Sequence, residues 1–253
     1  MTSSQSWASP HDPPKRTLTS LLAKRVPRDR GENSMVVHQR RRNLAAVMVT
    51  GAGLLGLSLS TEPDSPEFYV LTFAVAGTWL AGGLVSEPEH SSAVRTDDEH
   101  SLRHPVITPI LTGTAAFGAF FGAALIARRL PVLNEALTSI LNYADRGSDP
   151  WILASALANG VAEEVFFRGA LFAAVGSHNP VPVSTALYML TTSATRNPAL
   201  VLASGVMGLL FAVQRRASGG IQAPILTHVT WSVLMLRYLP SLFRNPTPAR
   251  NQP

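Results

Sequence analysis

The sequence contains no cysteine and has little charge. The absence of cysteine excludes thiol catalysis, disulfide bonds and thiolate metal sites. Asp, Glu, Lys and Arg make up 15% of the 253 residues, whereas a typical soluble domain has about 25%. This deficit of charged residues argues against an ordinary soluble globular protein.

The charge is missing from seven long apolar stretches. They are residues 43–59, 68–85, 106–126, 151–175, 182–195, 198–214 and 221–236. An α-helix needs about 17–25 apolar residues to cross the hydrocarbon layer of a bilayer, and most of these stretches approach or reach that length. The pattern predicts an all-α fold, namely a polytopic transmembrane bundle of six to eight helices.

The flanking segments predict the domain organisation and the orientation. Residues 1–42 are rich in Ser, Pro and Arg, a composition typical of a disordered basic tail. We expect a transmembrane helical domain over 43–239 and a short flexible tail over 240–253. The excess of Lys and Arg near the first span predicts a cytoplasmic amino terminus and a multi-pass protein of the cell membrane. The net charge of +5 therefore indicates the lipid bilayer, and not nucleic acid, as the partner.

Two local patterns refine this topology. Asn197 followed by Pro198 is typical of a helix cap and a first helical position, which predicts that a new helix starts there and that there are seven crossings. If this stretch is instead one kinked helix, there are six. Between residues 131 and 145 apolar side chains recur at helical spacing, which predicts an amphipathic helix in the membrane interface.

The three charged residues within the apolar stretches all lie in one segment, as Glu163, Glu164 and Arg168. Each charge at the bilayer centre costs roughly 2.5–3.5 kcal/mol, so a functional or structural reason is expected. Glu164 and Arg168 are four residues apart on a helix, which predicts a buried ion pair. Glu163 is then the surplus acid. It needs a water-filled cavity, a proton or a cationic partner, and it is a candidate general base.

His228 is a candidate partner for this acid because it is the histidine that lies inside an apolar run. Ser232 follows four residues later on the same helix face. A histidine on an apolar face is often a hydrogen-bonded structural residue, and that alternative stays open. The position of His228 deep in the membrane and the unpaired acid elsewhere favour a functional role, so the two alternatives carry about equal weight.

The sequence resembles a known family in two motifs. EExxxR at residues 163–168, followed by APILTHxxxS at residues 223–232, is similar to the CPBP family. These are the CAAX-processing and bacteriocin-processing intramembrane proteases, also called Abi. The resemblance covers about 150–236. EExxxR alone is a weak signal, but within a membrane helix and with the downstream histidine it is fairly specific.

The resemblance implies an intramembrane endopeptidase and assigns a role to each matching residue. Glu163 would activate the hydrolytic water, and Glu164 and Arg168 would brace the site. His228 would stabilise the oxyanion formed when a peptide bond is cleaved.

The sequence departs from the family pattern at two positions. The family usually has Phe-x-x-x-His between the two motifs, whereas YMLTT at residues 188–192 places Thr192 where the histidine would pair with the base. Ser232 stands where the family commonly has asparagine. Threonine can orient water by a hydrogen bond but cannot exchange a proton near neutral pH. Thr192 and Ser232 are nevertheless included among the candidate site residues.

These features lead to a ranked set of functions. A catalytic zinc site needs three protein ligands, and one of the three candidates is committed to Arg168, so we expect no Zn²⁺ and no other cofactor. The first prediction is a glutamate-dependent endopeptidase that cleaves a membrane-associated protein or peptide. The alternative is an inactive family member that acts as a membrane scaffold or as an immunity or regulatory protein. A third possibility is a small transporter whose charges line a substrate path.

Overall fold

The computed structural model describes residues 34–86, 104–146, 149–176 and 179–243, and this part of the chain is a bundle of helices without a strand. The predicted all-α class is confirmed. The helices are α1 (Ser34–Ser58), α2 (Pro66–Ser86), α3 (Ile107–Ala127), α4 (Pro131–Arg146), α5 (Asp149–Glu163), α6 (Phe172–Val175), α7 (Pro180–Thr192), α8 (Pro198–Ser218) and α9 (Gln222–Tyr238). A π-helical segment (Glu164–Leu171) joins α5 to α6, and 3₁₀ turns follow α7 (Ser193–Thr195) and α9 (Pro240–Leu242).

Helices α2, α3 and α8 are each 21 residues long, and by length and composition each could cross a membrane. The other predicted spans coincide with α1, α5, α7 and α9, which are shorter or less apolar. Helix α5, the π segment and α6 follow one another without interruption, so the predicted stretch 151–175 is one continuous helical rod.

The amino-terminal boundary differs from the prediction. Helix α1 begins at Ser34, upstream of the expected start at Asn43, so the last part of the predicted tail is helical. The reason is that Gln and Arg have straight side chains that lose little rotamer freedom in a helix, so the helix continues upstream through Arg40, Arg41 and Arg42. The rest of the predicted tail, 1–33, and the residues after Phe243 lie outside the described part of the chain.

The break before Pro198 is confirmed as a boundary between two helices. Arg196 has a left-handed backbone conformation with φ of 55°. The Oδ1 atom of Asn197 accepts hydrogen bonds from the backbone N–H groups of Ala199 and Leu200 at 3.0 and 3.1 Å. Its Nδ2 atom donates to the carbonyl oxygen of Ala136 at 2.8 Å. Asn197 therefore starts α8 and also fastens it to α4.

The predicted amphipathic helix is α4, and its apolar face packs on the bundle. Ala136 and Leu141 on this face are buried, whereas Val132 is exposed. The hydroxyl group of Tyr143 donates to the carbonyl oxygen of Thr61 at 2.6 Å, which ties α4 to the turn between α1 and α2. A helix with one buried and one polar face in this position fits an interfacial connector.

Helices α1 and α2 form the base on which the π segment rests. The buried indole of Trp79 packs against Phe166 and Phe167, with ring centroids 5.0 and 5.1 Å apart. Gly51 makes this possible, because a Cβ atom on it would overlap the indole ring. Gly53, on the same helix, faces open space. Close helix packing thus fixes the aromatic layer beneath the EExxxR motif.

Candidate active site

The EExxxR motif straddles the change from α-helix to π-helix. Glu163 is the last residue of α5 and Glu164 the first of the π segment. Such π segments are rare and often occur at functional sites. The Nε atom of Arg215 in α8 donates to the carbonyl oxygen of Arg168 at 2.8 Å. The π segment is therefore held by a neighbouring helix through its backbone.

Glu164, Arg168 and His228 form one buried ionic network. Glu164 Oε1 accepts a hydrogen bond from Arg168 Nη1 at 3.2 Å and lies 3.0 Å from His228 Nδ1. Arg168 Nη2 donates to the carbonyl oxygen of Gly208 at 3.1 Å. Glu164 and Arg168 have no exposed surface and His228 has 6%. The predicted Glu164–Arg168 ion pair is present, and it links the π segment to α8 and α9.

Aromatic rings enclose the guanidinium group of Arg168. Its Cζ atom lies 4.6 Å from the ring centroid of Tyr188 and 5.1 Å from that of Phe211. The ring of Phe211 also stacks on His228, with centroids 4.7 Å apart and planes inclined by 22°. These cation–π and stacking contacts compensate part of the cost of burying the charge away from water.

Glu163 has different surroundings from its neighbour. Its side chain is partly accessible, whereas Glu164 is fully buried. Glu163 Oε2 accepts a hydrogen bond from the hydroxyl group of Tyr188 at 2.6 Å. His228, Glu164 and Arg168 are the other groups that act on it electrostatically. The two adjacent acids thus have separate partners, as the helical geometry predicted.

Two glycines allow the helices to approach this network. A Cβ atom on Gly160 would lie 3.4 Å from the His228 ring. A Cβ atom on Gly208 would lie 3.1 Å from Tyr188 Cδ1 and 3.4 Å from Arg168 Nη2. Larger side chains at these positions would push the imidazole or the phenol ring away from the acids.

Thr192 and Ser232, the two departures from the family pattern, lie outside the network. The Thr192 hydroxyl group donates to the carbonyl oxygen of Tyr188 at 2.8 Å, within its own helix. Ser232 is partly exposed, and its hydroxyl group makes no hydrogen bond within the described part of the chain. The structure therefore brings Glu163, Glu164, Arg168 and His228 together and leaves these two aside.

Two residues of the site were not predicted as such. Tyr188 contacts both Glu163 and Arg168, and Phe211 contacts both Arg168 and His228. A signal existed for Tyr188, because it lies one helical turn before Thr192 and so on the same face of α7. Phe211 had no comparable signal, since an aromatic residue in an apolar helix is typical of ordinary packing.

Within the ranges that the structure describes, no group of three or more His, Asp or Glu side chains could hold a metal ion. A cleft of about 290 Å³ lies between the α1–α2 turn, α4 and the start of α8, and is lined in part by Ser139, Tyr143 and Asn197. Its lining residues do not belong to the network around Glu164.

The fold and the site define a class: a helical membrane protein with a buried glutamate, arginine and histidine network formed by adjacent helices. Residues 147–234 match the family model described as Type II CAAX prenyl endopeptidase Rce1-like. The resemblance to the CPBP family is thereby confirmed over the segment that contains the network. No curated protein and no solved structure matches the chain significantly.

Proposed function

We propose that the protein is an intramembrane endopeptidase of the CAAX-processing type, in which Glu163 is the general base and no metal or other cofactor takes part. The observation that supports this is the convergence of Glu163, Glu164 and Arg168 of one continuous helix with His228 of α9, within the segment that matches the family. An ionic network of this size within apolar helices is costly in free energy, so a functional role is expected for it.

The surroundings of the two acids assign them different tasks. Glu164 is fully buried and committed to Arg168 and His228, so it braces the site. Glu163 is partly accessible and keeps one carboxylate oxygen outside its bond with Tyr188, so it can accept a proton from water. A positioned carboxylate of this kind contributes about 10²–10⁴-fold to a rate.

His228 is oriented to stabilise the developing oxyanion. Its Nδ1 atom lies 3.0 Å from the buried carboxylate of Glu164, which fixes the ring and leaves the opposite Nε2 edge as the side that can face the oxyanion. In the reaction Glu163 takes a proton from water as the water oxygen bonds to the peptide carbonyl carbon. The C–N bond then breaks, and Glu163 returns the proton to the leaving amine.

The substrate and the location follow from the apolar surroundings of the site. We infer a membrane-associated protein or peptide as the substrate, and the first candidate is a prenylated CAAX peptide, because the matching family is described as a CAAX prenyl endopeptidase. The three long apolar helices support a multi-pass protein of the cell membrane. The basic residues in the first turns of α1 support a cytoplasmic amino terminus.

The decisive experiment compares Glu163→Gln with the matched control Glu135→Gln, an exposed acid of α4. Glutamine keeps the size of the side chain and an oxygen that can accept from Tyr188. With purified protein in nanodiscs and a fluorogenic prenylated peptide, we expect Glu163→Gln to lose about 10²-fold or more of the turnover. Glu135→Gln should match the wild type, and the thermal stability of both variants should be unchanged. Equal turnover in Glu163→Gln would refute the assignment.

A second candidate function is supported by the position of Thr192. Thr192 stands where the family usually has a histidine, so the described part of the site holds one imidazole, that of His228. The hydroxyl group of Thr192 is bonded within α7 and does not replace the missing ring. A family member that has lost turnover and acts as a scaffold or as an immunity or regulatory protein fits this feature. In that case the wild type cleaves no peptide, and Glu163→Gln leaves binding to partner proteins unchanged.

A further inference from the structure

The phenol group of Tyr188 occupies a position that neither motif of the chain accounts for. Its hydroxyl oxygen lies 2.6 Å from Glu163 Oε2. This distance is typical of a charge-assisted O–H···O⁻ bond, the stronger class of hydrogen bond in proteins. Tyr188 therefore acts directly on the acid to which we assign the proton transfer.

The ring of Tyr188 is held from several sides, so the hydroxyl group has little freedom. It packs against Phe167 with centroids 4.8 Å apart, and the guanidinium group of Arg168 lies over its face. Gly208 leaves just enough space beside it, since a Cβ atom there would lie 3.1 Å from Tyr188 Cδ1. A side chain that only filled space would not need contacts of this specificity at both its face and its tip.

Thr192 lies on the same side of α7 as Tyr188, but its hydroxyl group is bonded within the helix. Tyr188 and Thr192 are four residues apart and lie on one helix face. The Thr192 hydroxyl group donates to the carbonyl oxygen of Tyr188 and so does not reach Glu163. The longer phenol side chain spans a distance that threonine does not.

We propose that Tyr188 is the positioning residue for Glu163. Its hydroxyl group holds the carboxylate of Glu163 in place, whereas the hydroxyl group of Thr192 does not contact that carboxylate. The inference rests on the proposed function for its consequence in catalysis. The hydroxyl group donates to one carboxylate oxygen and leaves the other oxygen outside this bond, so that it can accept a proton from water. It also favours the ionised form of Glu163, which is the form that can accept a proton.

The test removes a single oxygen atom. Tyr188→Phe keeps the ring over Arg168 and removes the donor to Glu163. The matched control is Tyr143→Phe, which removes a hydroxyl group that also donates at 2.6 Å, but to the carbonyl oxygen of Thr61 and outside the site. We expect Tyr188→Phe to lower kcat by about 10- to 100-fold, the effect of one charge-assisted hydrogen bond. Its KM and melting temperature should match those of Tyr143→Phe, and the control should keep the wild-type kcat.

A second measurement does not depend on turnover. Dicyclohexylcarbodiimide modifies protonated carboxyl groups in apolar surroundings, and mass spectrometry separates labelling of Glu163 from that of Glu164. We expect Tyr188→Phe to be labelled at Glu163 several-fold faster than the wild type, because the donor that favours the ionised form is gone. Glu164 keeps its partners and should be labelled at the same slow rate in both proteins.

The outcomes separate the two proposals. A wild type that cleaves no peptide refutes the proposed function, while faster labelling of Glu163 in Tyr188→Phe still supports the positioning role. Equal labelling rates at Glu163 in the wild type and Tyr188→Phe overturn that role, whatever the turnover. A drop in kcat shared by Tyr143→Phe, or faster labelling of both acids, shows a general structural effect and also overturns it.

Discussion

Replacing Arg168 by methionine tests how far the buried network depends on its cation. Methionine fills a similar volume, so the main change is the loss of the guanidinium group and its bonds to Glu164 and Gly208. Glu164 then keeps His228 as its partner but lies, with no exposed surface, in apolar surroundings. The variant therefore leaves the buried carboxylate of Glu164 without its cationic partner and only partly compensated.

The magnitude follows from the burial of both partners. Breaking a buried ion pair by removing one side typically costs about 3–5 kcal/mol. We expect the lower end, about 3 kcal/mol, because the carboxylate of Glu164 keeps its hydrogen-bond contact with His228 Nδ1. For a domain of this size each kcal/mol lowers the melting temperature by about 2–4 °C, so the expected loss is about 6–12 °C.

The assay is thermal or denaturant unfolding of the protein in detergent micelles, with Arg237→Met as the control. Arg237 is an exposed cation in the last turn of α9, and its replacement should change stability by less than about 0.5 kcal/mol. The double variant Glu164→Leu with Arg168→Met removes both charges. It should regain more than about 1 kcal/mol relative to the sum of the single variants. Strictly additive effects, or a single variant as stable as the control, would refute the reasoning.

Three further predictions concern packing, capping and the departure from the family pattern. Gly51→Ala should destabilise the protein by about 1–3 kcal/mol because the methyl group would overlap the indole of Trp79, whereas Gly53→Ala, which faces open space, should gain up to about 1 kcal/mol. Equal melting temperatures for these two glycine variants would contradict the packing described for α1 and α2. Asn197→Ala removes the two cap bonds of α8 and the bond to α4, so denaturant unfolding should show a loss of about 1–2 kcal/mol; a loss below about 0.3 kcal/mol would show that the cap is dispensable. Thr192→Val should leave kcat/KM within about twofold, since the hydroxyl group bonds within its own helix; a tenfold loss would instead assign Thr192 a direct role at Glu163.

The features that could be predicted from the sequence are those set by neighbouring residues. The Glu164–Arg168 pair follows from four-residue spacing on a helix, and the start of α8 follows from Asn197 before Pro198. The amphipathic α4 follows from its apolar periodicity. Each of these depends on interactions within about one helical turn, where the sequence itself determines which side chains meet.

The contacts between helices could not be predicted in the same way. The sequence suggested His228 as a partner for the surplus acid Glu163, whereas its direct partner is Glu164, 64 positions away, and Glu163 is bonded by Tyr188, 25 positions away. Which of two adjacent acids faces a given helix depends on the rotation of the helices about their axes. The π segment changes that rotation, and no residue pattern in the motif indicates its presence.

The change from α-helix to π-helix at Glu163 and Glu164 separates the partly accessible acid from the fully buried one. A π turn accommodates one residue more than the α-helical turn it replaces. A single-residue deletion between 165 and 171 would therefore rotate everything beyond it by roughly 100° about the helix axis. The side chain of Arg168 and its carbonyl oxygen, which accepts a hydrogen bond from Arg215, would then face other neighbours. The proposed chemistry thus depends on the length of one helix as well as on its side chains, and insertions or deletions of single residues there would switch it off or restore it.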